Sequence, residues 1–341
     1  MGTGFWSRFQ LAAWQELEGV TCVALYNRTR SKAEALAAEF GVPSVYDDPE
    51  ALLRGERIDF VDVIAHVDVH SDLVHLAARH GVPAICQKPM APDLETAERM
   101  VCACREAGIP LAIHENWRWQ HPIQAVKRAL DEGAVGKPFR AHIVYANSAP
   151  VFDNHPYLKE LDRFILNDMG SHILDVARFL FGEARTVTCH TARVHPDIRG
   201  EDVATVMLHV GDVAQGMTVV CSLSYASRVE HDRFNETYVH VECERGAVAL
   251  GPDYWVRVTT EAGTTARRCV LPRYPWVDPA YEVVQTSIVP CNAHLLHSLR
   301  SGRPAATSGE DNLRTMRLVS AAYESAERGC TVEIKESPQR H

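Results

Sequence analysis

The run Asn167-Asp168-Met169-Gly170-Ser171-His172-Ile173-Leu174-Asp175-Val176 places a carboxylate and an imidazole four residues apart, with a second carboxylate three further on. On a helix Asp168, His172 and Asp175 share one stripe. An imidazole with a carboxylate one turn away is a base with its orienter, the equipment for taking a proton from an alcohol. The plainer reading makes Asp168 a helix cap and His172 a satisfied, partly buried side chain, and Asp175 reads as structural in either case. Lys88 lies in Gln87-Lys88-Pro89 at the end of a predicted strand, on the edge of an open α/β sheet where ligands bind. A solvated surface lysine is the alternative. The chain opens Gly2-Thr3-Gly4-Phe5-Trp6-Ser7, a G-x-G-x-x-S turn. The first glycine suits a tight turn, the second a close approach of backbone to pyrophosphate, and Ser7 is small enough for the third position. A ligand-free glycine turn would look the same. Asn27 and Arg28 stand where a ribose-binding acid is expected. Asparagine removes the repulsion that a carboxylate exerts on a 2′-phosphate, and arginine offers a fork for it, so the pair leans towards NADP. Asparagine also bonds a ribose hydroxyl, which keeps NAD open. The stretch His114-Glu115-Asn116-Trp117-Arg118-Trp119-Gln120 is dense in hydrogen-bonding and stacking groups. It suits a polyhydroxylated ligand, or a core tryptophan pair with a surface arginine.

These residues need a scaffold. Short apolar runs at Val20–Leu25, Phe60–Ile64, Ala84–Cys86 and Leu111–Ile113 alternate with amphipathic segments, the rhythm of βαβ units and a parallel sheet. Ser31 and Glu34 have capping-box spacing for a helix ending at Gly41. Asp48-Pro49 opens a short helix that closes near Gly55, a third runs through Leu73 and Leu76 to Gly81, and Asp93 caps a fourth that stops at Gly108. Only Met1 precedes the glycine turn, where a central strand belongs. The first strand is therefore expected to be absent, either because the natural start lies upstream of the given one, the favoured reading, or because the cofactor half is damaged. Beyond Gly136, β-rich stretches at 139–147, 186–194, 203–210, 216–225, 237–243, 247–250 and 254–260 predict a mostly antiparallel sheet. Helices are predicted at about 168–181 and 310–328, and the proline-rich 271–290 reads as an ordered loop. The fold class is α/β: a Rossmann-type domain over 1–120, then an α+β domain over 121–341.

Composition narrows the function. The chain has 341 residues, 46% hydrophobic and 23% charged, which is ordinary globular content and room for two domains. A net charge of −9 opposes general nucleic-acid binding. No apolar run approaches a bilayer span, and no secretory signal layout is present. The ten cysteines are scattered mostly through apolar runs, so reduced thiols in a cytoplasmic protein are expected. No zinc spacing, H-E-x-x-H or G-x-S-x-G motif occurs, and no metal is expected.

Glycine turn, Gln87-Lys88-Pro89, Asn116-x-Arg118 and Asp168-x-Gly170-x-His172-x-x-Asp175, in that order, resemble the glucose–fructose oxidoreductase / inositol dehydrogenase (Gfo/Idh/MocA) family. The likeness runs from Gly2 to about Val332, and within the family Gln87-Lys88-Pro89 with Asn116 to Gln120 is similar to the D-apiose dehydrogenase branch. The resemblance implies an NAD(P)-dependent oxidoreductase moving hydride between a sugar or cyclitol carbinol and nicotinamide. It makes Lys88 the catalytic lysine, His172 the base and Asp168 its partner. It assigns Gly2, Gly4, Phe5 and Trp6 to the pyrophosphate, Asn27 and Arg28 to the adenosine ribose, and His66, Gln87 and Lys88 to the cofactor. Asn116, Trp117 and Arg118 join Lys88, Asp168 and His172 at the substrate. Gln87 replaces the usual glutamate. A homodimer or homotetramer is expected from the same likeness and from a broad antiparallel sheet with one face needing cover, and the charge and hydropathy above leave no nucleic-acid or membrane partner expected. A non-catalytic binding protein on this scaffold and a biosynthetic keto-sugar reductase are the alternatives.

Overall fold

The computed structural model describes residues 1–212 and 216–334. The chain divides into two compact units. The first comprises Met1–Asn116, Arg273–Asp278 and Gln285–Arg314, and the second comprises Trp117–Pro272, Pro279–Val284 and the chain from Thr315 on. The contiguous 1–120 and 121–341 division therefore misses a return of the chain. One bridge of that return pairs Ala112 with Ser308 inside the first unit.

In the first unit, β1 (Ala24–Tyr26) and β2 (Ser44–Tyr46) form one parallel pair, and β3 (Val61–Val63), β4 (Ala84–Gln87) and β5 (Leu111–His114) form a parallel trio. The expected central strand is represented by Met1 and Gly2 alone. The Gly2 N–H donates to the Tyr26 carbonyl at 2.8 Å, and the Ile64 N–H donates to the Met1 carbonyl at 2.7 Å. Two residues thus join both pieces of the sheet. Helices Phe5–Gln15 and Arg30–Phe40 pack on the β1–β2 pair, burying Leu11, Leu25, Ala33, Ala37 and Val42 in a common core.

Asp48 caps Pro49–Gly55 through the Glu50 N–H, and Asp93 caps Leu94–Glu106 through the Thr96 N–H, as their spacing predicts. The capping box at Ser31 is not formed. Thr29 is the N-cap residue, Ser31 lies inside the helix, and Glu34 pairs with Arg30 at 2.9 Å instead. The loop expected over 271–290 also needs correction: a 20-residue helix, Glu282–Ser301, carries Pro290 in its interior. Its buried residues include Gln285, Thr286, Ser287 and Asn292, so the apolar stripe that announces a helix is blurred.

In the second unit, β6 (Pro138–Ala146), β7 (Ala184–Ala192), β8 (Val203–Val210), β9 (Met217–Ser224), β10 (Tyr238–Cys243), β11 (Gly246–Gly251), β12 (Trp255–Thr260), β13 (Gly263–Arg268) and β14 (Val332–Glu333) form one sheet among the described residues. Its order is β13-β12-β11-β10-β6-β9-β8-β7-β14, antiparallel except where β6 runs parallel to β9. Alternation puts Ala141, Ile143, Val206, Leu208, Val219 and Cys221 in the core. The opposite face carries a row from Met207 through Val220, His142 and His240 to Ala249 and Arg257. The exposed β13 at the sheet edge was not read from the sequence.

Candidate active site

In the first unit the candidate cofactor residues stand at the carboxyl ends of parallel strands: Asn27 after β1, His66 after β3 and Lys88 after β4, the edge where open α/β sheets take ligands. The glycine turn has the form a pyrophosphate needs. Gly2 has φ +96°, and a Cβ there would sit 2.2 Å from the Ile64 carbonyl oxygen, so only glycine fits. At Gly4 a Cβ would meet nothing within 4 Å, which leaves open space over the start of the Phe5–Gln15 helix. That helix has no side-chain cap, and the start of a helix is where an anion such as a pyrophosphate is favoured. Buried Ser7 takes the third position of the motif and ties the turn by donating to the Gly2 carbonyl at 3.1 Å. The residues present therefore fit a dinucleotide.

Phe5, Trp6 and Phe9 form an edge-to-face cluster, with Phe5 largely exposed. The Asn27 amide donates to the Thr29 carbonyl at 2.9 Å, and Arg28 beside it is exposed. His66 is exposed and faces Asp68 at 3.2 Å. Lys88 is half-buried. Buried His70 sits between the two flanking loops, with Nε2 at 3.0 Å from the Ala65 carbonyl and Nδ1 at 3.1 Å from the Pro89 carbonyl, and its neutral ring donates to one of them. Burial holds its pKa below the ordinary histidine value, against the pull of those carbonyls. Asn116 is buried in this unit and donates to the Ser287 hydroxyl at 2.8 Å.

The second unit holds the Asp–His element. Leu166–Gly170 is a single π-helical turn that runs into the helix Ser171–Phe181. Such π-turns widen a helix locally and are frequent at functional sites. Asp168 lies in the wide turn and His172 in the first regular one, so the uniform helical stripe of the sequence reading is broken between them. Glu201 anchors the segment. Its buried carboxylate accepts from the Phe164 and Leu166 N–H groups, each at 3.2 Å, and from the Tyr323 hydroxyl at 2.7 Å. The Tyr225 hydroxyl donates to Asp168 at 3.1 Å. His172 is buried and stacks on Trp117, with centroids 4.6 Å apart and planes 13° from parallel. Trp117 meets Tyr145 edge-on, and Tyr145 meets Tyr225 likewise. Aromatic rings thus run from His172 round to Asp168. Burial raises the Tyr145 and Tyr225 pKa values, so both stay protonated, Tyr225 as the donor to Asp168.

Two other candidates go elsewhere. Arg118 is buried and forms a two-pronged ion pair with fully buried Asp175, whose Oδ1 also accepts from the Thr315 hydroxyl at 2.8 Å. That places Arg118 in the scaffold of the Asp–His helix and agrees with a structural Asp175. The residues that sequence reading missed are Glu201, Tyr145 and Tyr225. Each acts across a long stretch of chain, and no local spacing marks them.

A glycine turn beside the carboxyl ends of parallel strands, in a chain that adds a large antiparallel sheet and an Asp–His helix, defines a class: dinucleotide-dependent oxidoreductases of two units. The chain belongs to the GFO/IDH/MocA oxidoreductase family: residues 1–114 match the oxidoreductase family with an NAD-binding Rossmann fold, and residues 123–249 match the GFO/IDH/MocA C-terminal domain. The D-apiose dehydrogenase of Paraburkholderia graminis is 43% identical, over 98% of this chain and 88% of its own length. That of Rhizobium rhizogenes is 41% identical, over 98% of this chain and 96% of its own. A crystal structure of an Agrobacterium radiobacter oxidoreductase in complex with NAD+, L-tartaric acid and magnesium superposes with a TM-score of 0.94 at 41% identity, covering 98% of this chain and 96% of that one.

Proposed function

We propose that this protein is a D-apiose dehydrogenase, oxidising a carbinol of the sugar with a nicotinamide dinucleotide as hydride acceptor. The observation that carries the substrate is the 43% and 41% identity, over 98% of the chain, to two enzymes of that activity. The dinucleotide, when bound, supplies the redox chemistry. The protein's part is alignment and electrostatics. His172 takes the hydroxyl proton, with Trp117 holding its ring plane and Asp168, itself fixed by Tyr225, setting its protonation. Lys88 donates to the same oxygen and stabilises its alkoxide character as hydride departs. Gly2, Gly4, Phe5 and Trp6 hold the pyrophosphate, and Asn27 with Arg28 holds the adenosine ribose. Exposed Arg28 suits a 2′-phosphate, so use of NADP alongside NAD belongs to the proposal. So do a cytoplasmic setting for the ten free thiols and self-association through the open face of the nine-stranded sheet, where Met207 is exposed.

The test is absorbance at 340 nm with NAD and with NADP, across D-apiose, other pentoses, hexoses and inositols. Turnover of D-apiose with a kcat/KM above the rest is expected. A clear preference for an inositol or a hexose would overturn the substrate, and no turnover of any would overturn the reaction.

A further inference from the structure

One chain of hydrogen bonds in the first unit runs in a single chemical direction and ends at Lys88. The Asp62 carboxylate on β3 accepts from the Trp14 indole at 2.7 Å and from the Gln10 side-chain amide at 2.8 Å on each oxygen. An ionised carboxylate offers no proton, so it fixes which end of the Gln10 amide faces it. The Gln10 carbonyl oxygen must then point away, and it accepts from the Gln87 side-chain NH2 at 2.8 Å. That fixes Gln87 in turn. Its own carbonyl oxygen is left to accept from the Lys88 backbone N–H at 2.9 Å. Donor and acceptor alternate without a free choice from Asp62 to Lys88. Buried Gln10 is only 1% exposed, so water does not stand in for a wrong partner there.

We propose that Gln87 is a positioning residue for Lys88, oriented by Asp62 through Gln10, and that glutamine is required at 87 because Gln10 presents an acceptor to it. The inference rests on Lys88 acting at the substrate oxygen. A glutamate at 87 would set an ionised oxygen against the Gln10 carbonyl, two acceptors with no proton between them. The helix that begins at the glycine turn carries Gln10 and Trp14. The same bonds therefore set the strand end bearing Lys88 against the cofactor turn.

The direction of the chain supplies its own test. Asp62→Asn gives residue 62 an oxygen for Trp14 and an NH2 for Gln10. The Gln10 amide can then turn over and donate to a glutamate at 87. We expect Gln87→Glu to lower kcat about tenfold, the rate equivalent of one misplaced hydrogen bond, with the KM for sugar little changed. We expect Asp62→Asn combined with Gln87→Glu to recover most of that loss. Gln87→Leu, which adds no charge, should lose a similar factor and gain nothing from Asp62→Asn. Thermal unfolding of each variant shows that it is folded, and double-variant recovery reports on any that melts early. Full kcat in Gln87→Glu, or equal failure of Gln87→Glu with and without Asp62→Asn, would overturn the proposal. Lys88→Met is run beside them. If it is inactive while Gln87→Glu is unimpaired, this inference alone fails. If it stays active, the role of Lys88 fails and takes this inference with it.

Discussion

His172 lies flat on Trp117 at 4.6 Å, and Asp168 is held by the Tyr225 hydroxyl. A ring and a carboxylate fixed in this way lose little orientational freedom when a proton moves, which is where general-base catalysis gains. His172→Ala, or Lys88→Met in the first unit, should therefore lower turnover by roughly 100-fold or more, the scale of a lost acid–base group. Steady-state rates on D-apiose check this, and near-native rates in both variants would remove the two residues from the chemistry. Arg118 answers to a different measurement. Arg118→Leu takes the bidentate partner from buried Asp175 while Arg178 stays 3.6 Å away, and should cost about 3 kcal/mol of stability, the low end for a broken buried pair. Denaturant unfolding reads that loss. A raised KM at unchanged stability would return Arg118 to the substrate. At this scale the sequence marks its candidates where spacing is local: Lys88 in Gln-Lys-Pro, and Asp168 with His172. It put Gln87 with the cofactor and did not disclose its bond to Gln10, because that partner is 77 residues away.

Among the elements, the strand ends and two of the caps were legible because each depends on a few adjacent residues. Asp48 and Asp93 cap as their spacing says, and β8 spans 203–210 as read. What escaped depends on tertiary partners. The π-turn over Leu166–Gly170 is stabilised by Glu201, more than thirty residues downstream, and no periodicity encodes it. The helix Glu282–Ser301 hides because its buried face includes polar residues and its interior a proline. The loops that follow β3 and β4 are held by His70, and this has a pH consequence. Burial keeps the folded His70 pKa below the ordinary value of 6.5, and His114 is displaced the same way for the same reason. As pH falls through 6.5 the unfolded chain takes up protons first, so stability is full above that pH and declines below it, until the folded side chains also protonate. The melting temperature should therefore fall between about pH 7 and pH 5, and His70→Asn should reduce that slope as well as the melting temperature itself. An unchanged slope in His70→Asn would show that His70 does not enter the titration.

For the molecule as a whole, two domains and their classes followed from the change of rhythm near Gly136, since parallel and antiparallel sheets pattern their apolar residues differently. The return of 273–278 and 285–314 to the first unit did not, because a chain that crosses back leaves no mark in composition. The first unit also rests on a narrow joint. Its two parallel pieces are bridged by hydrogen bonds of Met1 and Gly2 to Ile64 and Tyr26. Gly2 belongs both to that joint and to the proposed cofactor turn, with φ +96° and the Ile64 oxygen 2.2 Å from where a Cβ would stand. Gly2→Ala should therefore strain the turn by about 1–3 kcal/mol, beyond the contact it forces on Ile64. Because stability is local, hydrogen exchange should quicken at the amides of residue 2 and Ile64 while β6, β8 and β9 in the other sheet keep their protection. Binding of NAD, followed by nicotinamide fluorescence of the reduced form, should weaken in step if, as proposed, the displaced backbone meets the pyrophosphate. Faster exchange with undiminished binding would separate the joint from the cofactor turn; loss of protection throughout both units would mean that the two sheets unfold as one.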